Sequence, residues 1–253
     1  MIKGDHQIAE SPNRHINVSF VVPAYNEERL LGTTLDAIHA AARDVALPYE
    51  IVVANDASTD ATATIARAHG ARVVDCEYRQ IARVRNAGAR ASSGDVLIFV
   101  DADTLISPAV VRASLAALDR GAVGGGASVR VDGQQPWWGP FALFAILESM
   151  RVMHWAAGCY VYCTRTAFNA AGGFDERLFV AEEIALSRSL QRIGPVVILR
   201  EAVVTSGRKM RTHSAWDLLK LLAGLLRHGP AILRSRDRLS LWYGDRRHDP
   251  PAR

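Results

Sequence analysis

The feature that most restricts the fold is an alternation of short apolar runs with helical patterns in the first half of the chain. Four runs have the character of buried strands, and they lie at 18–22, 51–53, 72–74 and 95–100. Between them, apolar residues recur at helical spacing, and the predicted helices cover 27–43, a segment from Ser58 or Thr59 to Gly70, and about 81–91. Strands that alternate with helices predict βαβ units around a mostly parallel sheet, and therefore an α/β fold.

The second half of the chain is less regular. Ser107 and Pro108 predict a helix with serine as its N-cap and proline in its first turn, and this helix reaches about Asp119. A strand follows at 121–131, in which Gly124-Gly125-Gly126 indicates room for a bulge or a closely bound ligand. The other predicted elements are an apolar helix at 140–155, a strand at 156–164, helices at 166–171 and 182–193, strands at 196–199 and 202–205, and a basic amphipathic helix from residue 216.

The charge of the chain narrows the class of partner. Its 253 residues carry a net charge of +4, with a pI near 9.2. Neither zinc-finger spacing nor an RNA-binding aromatic signature accompanies the basic residues, so we expect no nucleic-acid partner. Much of the basic excess lies in the last third of the chain, where a solvated tail and a contact with a membrane surface both stay open.

Cysteine usage and hydropathy favour a cytoplasmic protein. The three cysteines, Cys76, Cys159 and Cys163, are an odd number without zinc-type spacing, which is typical of reduced thiols. Residues 1–14 contain no apolar core of a signal peptide, and no uninterrupted apolar run has the length of a bilayer helix. We expect a soluble or peripheral protein, with any peripheral contact at the inner face of the membrane.

Acidic side chains leave the end of the fourth predicted strand. Asp101-Ala102-Asp103 follows directly after the apolar run 96–100. Two carboxylates at the end of a buried strand are costly unless they are paired, and hard cations such as Mg²⁺ or Mn²⁺ prefer such oxygen ligands. Ligands of open α/β sheets bind beyond the carboxyl ends of the strands. This triplet therefore indicates a metal-assisted enzyme that acts on a nucleoside diphosphate.

Several polar segments follow one another in a fixed order along the chain: Pro23-Ala24-Tyr25-Asn26-Glu27-Glu28, Asn55-Asp56-Ala57-Ser58-Thr59-Asp60, Arg85-Asn86-Ala87-Gly88, Asp101-Ala102-Asp103, Gly172-Gly173-Phe174-Asp175-Glu176 and Glu182-Glu183. This order resembles the family 2 glycosyltransferases, which have the GT-A fold and use nucleotide-diphospho-sugars. The resemblance covers roughly 17–205. It implies a GT-A (Rossmann-like) domain at 16–206, with a nucleotide half at about 16–104 and an acceptor half at about 105–206. A flexible segment at 1–15 precedes this domain, and a basic helical C-terminal tail at 207–253 follows it.

The resemblance also implies a nucleotide pocket. The loop that begins with Pro23 and Ala24 lines this pocket, with Tyr25 near the base and Glu27 at the ribose or base. Asp56 accepts a hydrogen bond from a uracil-type N–H group, and Arg85 approaches the phosphates or positions the pocket.

Each of these residues has a structural alternative. The loop at 23–27 also fits an ordinary strand-to-helix turn, with Glu27 and Glu28 favouring the helix dipole. Asp56 also fits helix capping around Ser58, and Arg85 alone also fits a solvated helical arginine.

For the reaction itself, the resemblance implies a metal ion and a base. Asp101 contacts the ribose or a water molecule near the metal, whereas Asp103 ligates the Mn²⁺ or Mg²⁺ ion between the phosphates. The alternative for Asp103 is capping of the helix near Ser107. Glu183 is the expected base for the acceptor hydroxyl, although the family has aspartate at this position. Glu182 orients it or binds the acceptor. Two acids stabilised by the dipole of a helix N-terminus are the alternative for this pair.

A cationic cluster follows the last predicted strand. Arg208 and Lys209 are expected at the diphosphate, and His213 at the metal or a phosphate, with surface solvation as its alternative. The Gln-x-x-Arg-Trp signature of processive synthases is absent from the sequence, which favours transfer of a single sugar over polymer synthesis. From the ordered acidic loops together with Glu183, we expect this transfer to go to a hydroxyl with inversion.

The acceptor and the enzyme class leave alternatives. A lipid-linked acceptor could contact the apolar segments at 140–155 and 215–226, although core packing explains the same residues. A nucleotidyltransferase is an alternative enzyme class, but it would be expected to have a glycine-rich basic loop for a triphosphate after the first strand. The loop at 23–27 is acidic instead. A catalytically degenerate module that binds nucleotide sugars is the other alternative.

Overall fold

The computed structural model describes residues 17–133 and 147–207, and all structural statements below concern these residues. The strands are β1 (Val18–Ala24), β2 (Tyr49–Asp56), β3 (Arg72–Cys76), β4 (Val96–Val100), β5 (Thr104–Leu105), β6 (Gly124–Val131), β7 (Tyr160–Thr164) and β8 (Val196–Thr205). The helices are α1 (Leu31–Val45), α2 (Thr62–Ala68), α3 (Ile81–Ala91), α4 (Pro108–Asp119), α5 (described over 147–152), α6 (Arg165–Ala171) and α7 (Glu182–Gln191). The predicted segment at 1–15 and nearly all of the predicted tail at 207–253 lie outside the described residues.

The strands form one sheet in the order β3-β2-β1-β4-β7-β6-β8-β5. The first four strands are mutually parallel, whereas β7 runs antiparallel to both β4 and β6, and β6 and β8 are parallel. The predicted α/β fold with a mostly parallel sheet is confirmed. The change of direction at β7 divides the sheet into a first half, β1 to β4, and a second half, β5 to β8, which meet at the β4–β7 pair.

Two apolar layers cover the faces of this sheet. One contains Leu31, Leu35 and Ile38 of α1 together with Val110 and Val111 of α4. The other is built from α3, α6 and α7, and its centre is a cluster of three phenylalanines with ring centroids 4.9–5.9 Å apart. The helices are held mainly by this burial, because a fully buried Leu, Ile or Phe side chain contributes about 1.5–3 kcal/mol.

Several local predictions differ from the structure. Ser107 does cap α4, since its hydroxyl accepts from the Val110 N–H, but α2 begins at Thr62 with no side-chain cap. The capping role predicted for Ser58 or Thr59 is therefore wrong. The two predicted strands at 196–205 are one strand, in which Arg200 and Glu201 bulge from the pairing with β6. A polar pair in mid-strand mimics a turn in the sequence.

The glycine run in β6 packs against protein. A Cβ atom at Gly125 would lie 1.8 Å from the carbonyl oxygen of Val197 in β8, and one at Gly124 would lie 2.7 Å from Cβ of Cys163 in β7. The neighbouring strands therefore explain these glycines. The register shift against β8 begins only after Ala127.

Candidate functional site

The loops that follow β1 and β2 are bonded to each other. The N–H of Asn26 donates to the Ser58 hydroxyl (3.0 Å), and the Thr59 N–H donates back to the Asn26 amide oxygen (2.8 Å). The N–H of Glu27 donates to the hydroxyl of Thr62 in the first turn of α2 (2.8 Å). Asn26 adopts a positive φ of 49°, which turns the chain after β1. Ser58 and Thr59 thus fix the loop that the sequence assigns to the nucleotide.

Asp56, Arg79 and Tyr25 lie together at the ends of β1 and β2. Asp56 is buried at the end of β2, and its Oδ1 accepts from the N–H groups of Tyr78 (2.7 Å) and Arg79 (3.1 Å). These bonds hold the turn that places the Arg79 guanidinium over the Tyr25 ring, 4.0 Å from its centroid. The sequence analysis missed Arg79. Its one signal is its position after β3, at the same sheet edge as Tyr25 and Asp56.

The Asp101-Ala102-Asp103 segment joins β4 to β5 and is bonded to the residues that precede β7 and follow β8. The N–H of Asp101 donates to the Cys159 carbonyl (3.1 Å), and the carbonyl of Asp103 accepts from the N–H of Ser206 (3.2 Å). Thr104 pairs with Thr205 in the β5–β8 ladder. Because Ser107 caps α4, the alternative that Asp103 caps this helix is wrong. The residues after Gly207, including Arg208, Lys209 and His213, lie outside the described residues.

Arg85 connects this segment to the two candidate catalytic glutamates. Its side chain is only 3% exposed, and its Nη1 donates to Oε1 of Glu182 (2.6 Å). Its Nη2 donates to Oδ1 of Asp101 (2.8 Å) and to the carbonyl of Gly158 (2.7 Å). The buried guanidinium thus engages two carboxylates and a carbonyl of the protein. Of the alternatives left open by the sequence, this geometry favours positioning of the pocket over a solvated arginine.

Glu183 lies beside this arginine in the first turn of α7. A Cβ atom at Gly158 would lie 3.4 Å both from the Glu183 carboxyl carbon and from Arg85 Nη2, so the loop before β7 packs directly on both groups. Burial, and then the neighbouring Glu182 carboxylate, raise the pKa of Glu183 to about 8, against the lowering effect of Arg85. Burial also raises the pKa of Glu182, but its 2.6 Å ion pair with Arg85 opposes that rise, so within the pair charge is favoured on Glu182 and the proton on Glu183. The two glutamates are therefore largely buried and interact with Arg85, unlike solvated acids at a helix N-terminus.

Ser187 fixes the loop before β7 to α7. Its hydroxyl donates to the Glu183 carbonyl (2.8 Å) and accepts from the Ala156 N–H (3.0 Å). The loop and the first turn of α7 are therefore joined by a buried side chain.

Asn86 holds the Gly172-Gly173-Phe174 segment that leads towards α7. Its Nδ2 donates to the carbonyl of Phe174 (2.9 Å) and to Oε1 of Glu176 (3.0 Å), and its Oδ1 accepts from the Phe174 N–H (3.0 Å). The sequence suggested tight packing as one role for Asn86, and this clamp explains why asparagine and two glycines occur together.

A metal ion at this edge would have few protein ligands. In the parts of the chain described here, no group of three or more His, Cys, Asp or Glu side chains is arranged to hold an ion. Mg²⁺ and Mn²⁺ sites that bind substrate phosphates commonly use only one or two carboxylates from the protein. Asp103 can supply such a hard oxygen ligand, whereas Oδ1 of Asp101 is already bonded to Arg85. The available protein ligands fit a cation whose coordination shell is completed by a diphosphate.

The model of "Glycosyl transferase family 2" matches residues 19–173, which are more than half of the chain. The chain belongs to glycosyl transferase family 2. The match spans β1 to the Gly172-Gly173 pair and includes the predicted nucleotide segments from Pro23 to Asp103, but not Arg208 and Lys209. The resemblance inferred from the sequence is confirmed.

Curated relatives of this family member match a shorter stretch. Validoxylamine A glucosyltransferase of Streptomyces hygroscopicus subsp. limoneus is 38% identical over 109 residues, which are 40% of this chain and 23% of that protein. An undecaprenyl-phosphate 4-deoxy-4-formamido-L-arabinose transferase of Pseudomonas fluorescens (strain Pf0-1) is 35% identical over 112 residues, 41% of this chain and 33% of that protein. The matched stretch thus spans about a quarter to a third of these relatives.

Solved structures share the fold of this family member over most of its length. The mannosyltransferase PcManGT of Pyrobaculum calidifontis, in complex with GDP-Man and Mn²⁺, aligns with a TM-score of 0.64 and 22% identity over 93% of this chain and 75% of that one. S. aureus TarS 1-349, in complex with UDP-GlcNAc, aligns with a TM-score of 0.62 and 18% identity over 91% and 73%. At this level of identity the likeness establishes the GT-A fold alone.

Within the two described ranges, no helix is both long enough and apolar enough to span a bilayer. Of the segments proposed from the sequence to contact a lipid-linked acceptor, 215–226 lies outside those ranges and 140–155 is described only from residue 147 onward.

Proposed function

We propose that this chain transfers a single sugar from a nucleoside diphosphate, UDP or GDP, to an acceptor hydroxyl with inversion at the anomeric carbon. The observation that carries the proposal is the junction of Asp101 and Glu182 through Arg85. It brings the end of the first half of the sheet within two hydrogen bonds of the carboxyl pair. Family membership and the nucleotide-sugar complexes of the structural neighbours support it.

Glu183 is the proposed base. The oxygen of the acceptor hydroxyl bonds to the anomeric carbon, and the proton of that hydroxyl passes to the Glu183 carboxylate. At the same time the bond between the anomeric carbon and the diphosphate breaks, and its electron pair goes to the leaving diphosphate oxygen. Because the reactive form is the carboxylate and its pKa lies near 8, kcat/KM should rise with pH up to about 8. Burial thus makes the Glu183 carboxylate a stronger base, although a smaller fraction of Glu183 is ionised at neutral pH than of an ordinary glutamate.

The donor would lie along the ends of β1, β2 and β4. Tyr25 and Arg79 offer a flat cationic surface for the nucleotide base. Asp56, next to Arg79, is the proposed acceptor for a ring N–H of that nucleotide base. Glu27 and Asp101 are proposed at the ribose. A Mn²⁺ or Mg²⁺ ion held by Asp103 would supply Lewis-acid stabilisation of the departing diphosphate, worth several kcal/mol. The cationic groups Arg208, Lys209 and His213 are proposed to assist at the same end.

The acceptor is proposed as a hydroxyl compound, with lipid-linked and soluble acceptors as the two classes to be compared. One curated relative is named for undecaprenyl-phosphate, so a polyprenyl phosphate, which offers a phosphate oxygen in place of a hydroxyl, is tested beside the hydroxyl acceptors.

The test is a panel of nucleotide sugars with Mn²⁺, in which the release of nucleoside diphosphate is followed for the wild type and for Glu183→Gln. We expect the substitution to lower turnover by about 10²–10⁴-fold while donor binding by calorimetry is retained, since the base contributes on that order. Glu201→Gln, which neutralises an exposed glutamate on β8, is the matched control.

Two results would contradict the proposal. Full activity of Glu183→Gln would assign the base elsewhere. Donor binding without transfer or hydrolysis in any combination would instead favour a module that only binds nucleotide sugars.

A further inference from the structure

We propose that Arg85 is a positioning residue that aligns the donor edge with the catalytic carboxyl pair. This inference rests on the proposed function, because it assigns a role within the same reaction. The first half of the sheet contributes Arg85 from α3 and Asp101 from the end of β4, and the second half contributes Gly158 and Glu182. We call Arg85 and these three acceptors the Arg85 network.

The first argument is the geometry of the guanidinium. Its two Nη atoms make three hydrogen bonds of 2.6–2.8 Å, to acceptors on three separate segments. The planar fork of arginine can bridge such acceptors, whereas the single ammonium nitrogen of lysine cannot reproduce its geometry. The third nitrogen, Nε, is buried and makes no hydrogen bond in the described part of the chain. The orientation of the side chain is therefore set by the network and by packing on the Phe174 ring, 5.3 Å from the guanidinium carbon.

The second argument is the cost of the network. A buried charge is tolerated only when it is paired and hydrogen-bonded, and an arginine in a core is rarely needed for stability alone. Here one of the two ion pairs, Arg85–Glu182, runs between the two halves of the sheet, at the place where donor and acceptor must be brought into register. A misplacement of about 1 Å at a reacting centre can cost about 10²-fold in rate.

The third argument is the effect of the network on Glu183. Glu183 is faced by Glu182 from its own helix, by Arg85 from α3 and by Asp101 from β4, and it packs on the Gly158 loop. The carboxylates raise its pKa and the arginine lowers it. Loss of Arg85 should therefore raise the pKa of Glu183, and loss of the charge on Glu182 should lower it. Opposite shifts at the two positions would show that both groups act on Glu183 through their charge, and a fall in kcat beyond that effect would show positioning.

The test compares Arg85→Lys, Arg85→Gln and Glu182→Gln with Arg90→Lys, a control on the exposed face of the same helix. We expect kcat to fall about 10²-fold in Arg85→Lys with a much smaller change in the donor KM, since a positioning residue acts on the aligned complex. The acidic limb of the kcat/KM profile should move to higher pH in Arg85→Gln and to lower pH in Glu182→Gln. Arg90→Lys should match the wild type.

A second readout does not depend on the donor. Carboxyl ¹³C NMR titration of Glu183 in the chain without donor should show the same opposite pKa shifts. If no donor is turned over, the proposed function fails while this titration still decides the role of Arg85. If Arg85→Gln does not fold, Arg85→Lys and Glu182→Gln decide it. Unchanged kcat in Arg85→Lys, or no downward shift in Glu182→Gln, would overturn the proposal.

Discussion

Replacement of Gly173 by alanine tests the clamp between α3 and the segment that leads to the catalytic glutamates. Gly172 and Gly173 both have positive φ, at 81° and 73°. An alanine at either position costs about 1–2 kcal/mol for its left-handed backbone alone. A Cβ atom at Gly172 would meet nothing within 4 Å, but one at Gly173 would lie 2.8 Å from the Asn86 amide oxygen. The two neighbouring glycines therefore separate backbone strain from the clash.

The expected magnitude follows from the bonds that the clash would break. Asn86 can move away only by weakening its pair of bonds to Phe174, and each such bond is worth about 0.5–1.5 kcal/mol. We expect Gly172→Ala to cost about 1–2 kcal/mol, and Gly173→Ala to cost about 2–5 kcal/mol. At about 2–4 °C per kcal/mol for a domain of this size, Gly173→Ala should lower Tm by roughly 4–20 °C.

The assay is urea unfolding of the two single variants and of Gly173→Ala in an Asn86→Ala background. Without the Asn86 side chain, most of the excess cost of Gly173→Ala over Gly172→Ala should disappear, because only the backbone strain and a 3.3 Å contact with Cζ of Phe168 are left. Equal costs for the two glycines in the wild-type background, or an unchanged cost for Gly173→Ala once Asn86 is truncated, would refute the reasoning.

Two further predictions concern the carboxylates of the site. Asp103→Ala should abolish the enhancement of UDP or GDP binding by Mn²⁺ in calorimetric titrations. Asp119→Ala, on the exposed end of α4, is the control. An undiminished Mn²⁺ effect in Asp103→Ala would exclude Asp103 as the metal ligand. Glu183→Gln should stabilise the protein increasingly from pH 4.5 to 8, by up to about 5 kcal/mol, because unfolding frees a carboxyl whose pKa is raised to about 8 in the folded state. Urea midpoints of both proteins across this pH range check it, and a constant difference would show that Glu183 is not perturbed.

The sequence was sufficient for the fold and for the edge of the sheet that carries the site. Parallel strands place their carboxyl ends together, so Tyr25, Asp56 and Asp101 could be assigned to one edge from strand order alone. The α3 bounds were also predictable, because apolar spacing and the following Ser-Ser-Gly define both ends.

The contacts that connect the two halves were not predictable in the same way. Arg85 lies 97 residues from Glu182, and helical arginines are usually solvated, so local pattern could not indicate its burial. Arg79 stacks on Tyr25 only because Asp56 bonds the turn before α3, which is a tertiary effect. Ser58 and Thr59 resemble helix caps in sequence, but the loop after β1 takes up their hydrogen-bonding groups.

The seam at β4 and β7 also sets a condition for recombination within the family. Arg85 belongs to the first half of the sheet, and two of its acceptors, Glu182 and the Gly158 carbonyl, belong to the second. A chimera that joins a foreign second half to residues 17–104 therefore keeps the buried arginine but replaces the carboxylate that pairs with it. Such grafts should remain active only when the incoming half carries both a carboxylate that can meet this arginine and a glycine-sized residue beside it. Exchange of acceptor preference by shuffling halves is therefore limited by a single guanidinium.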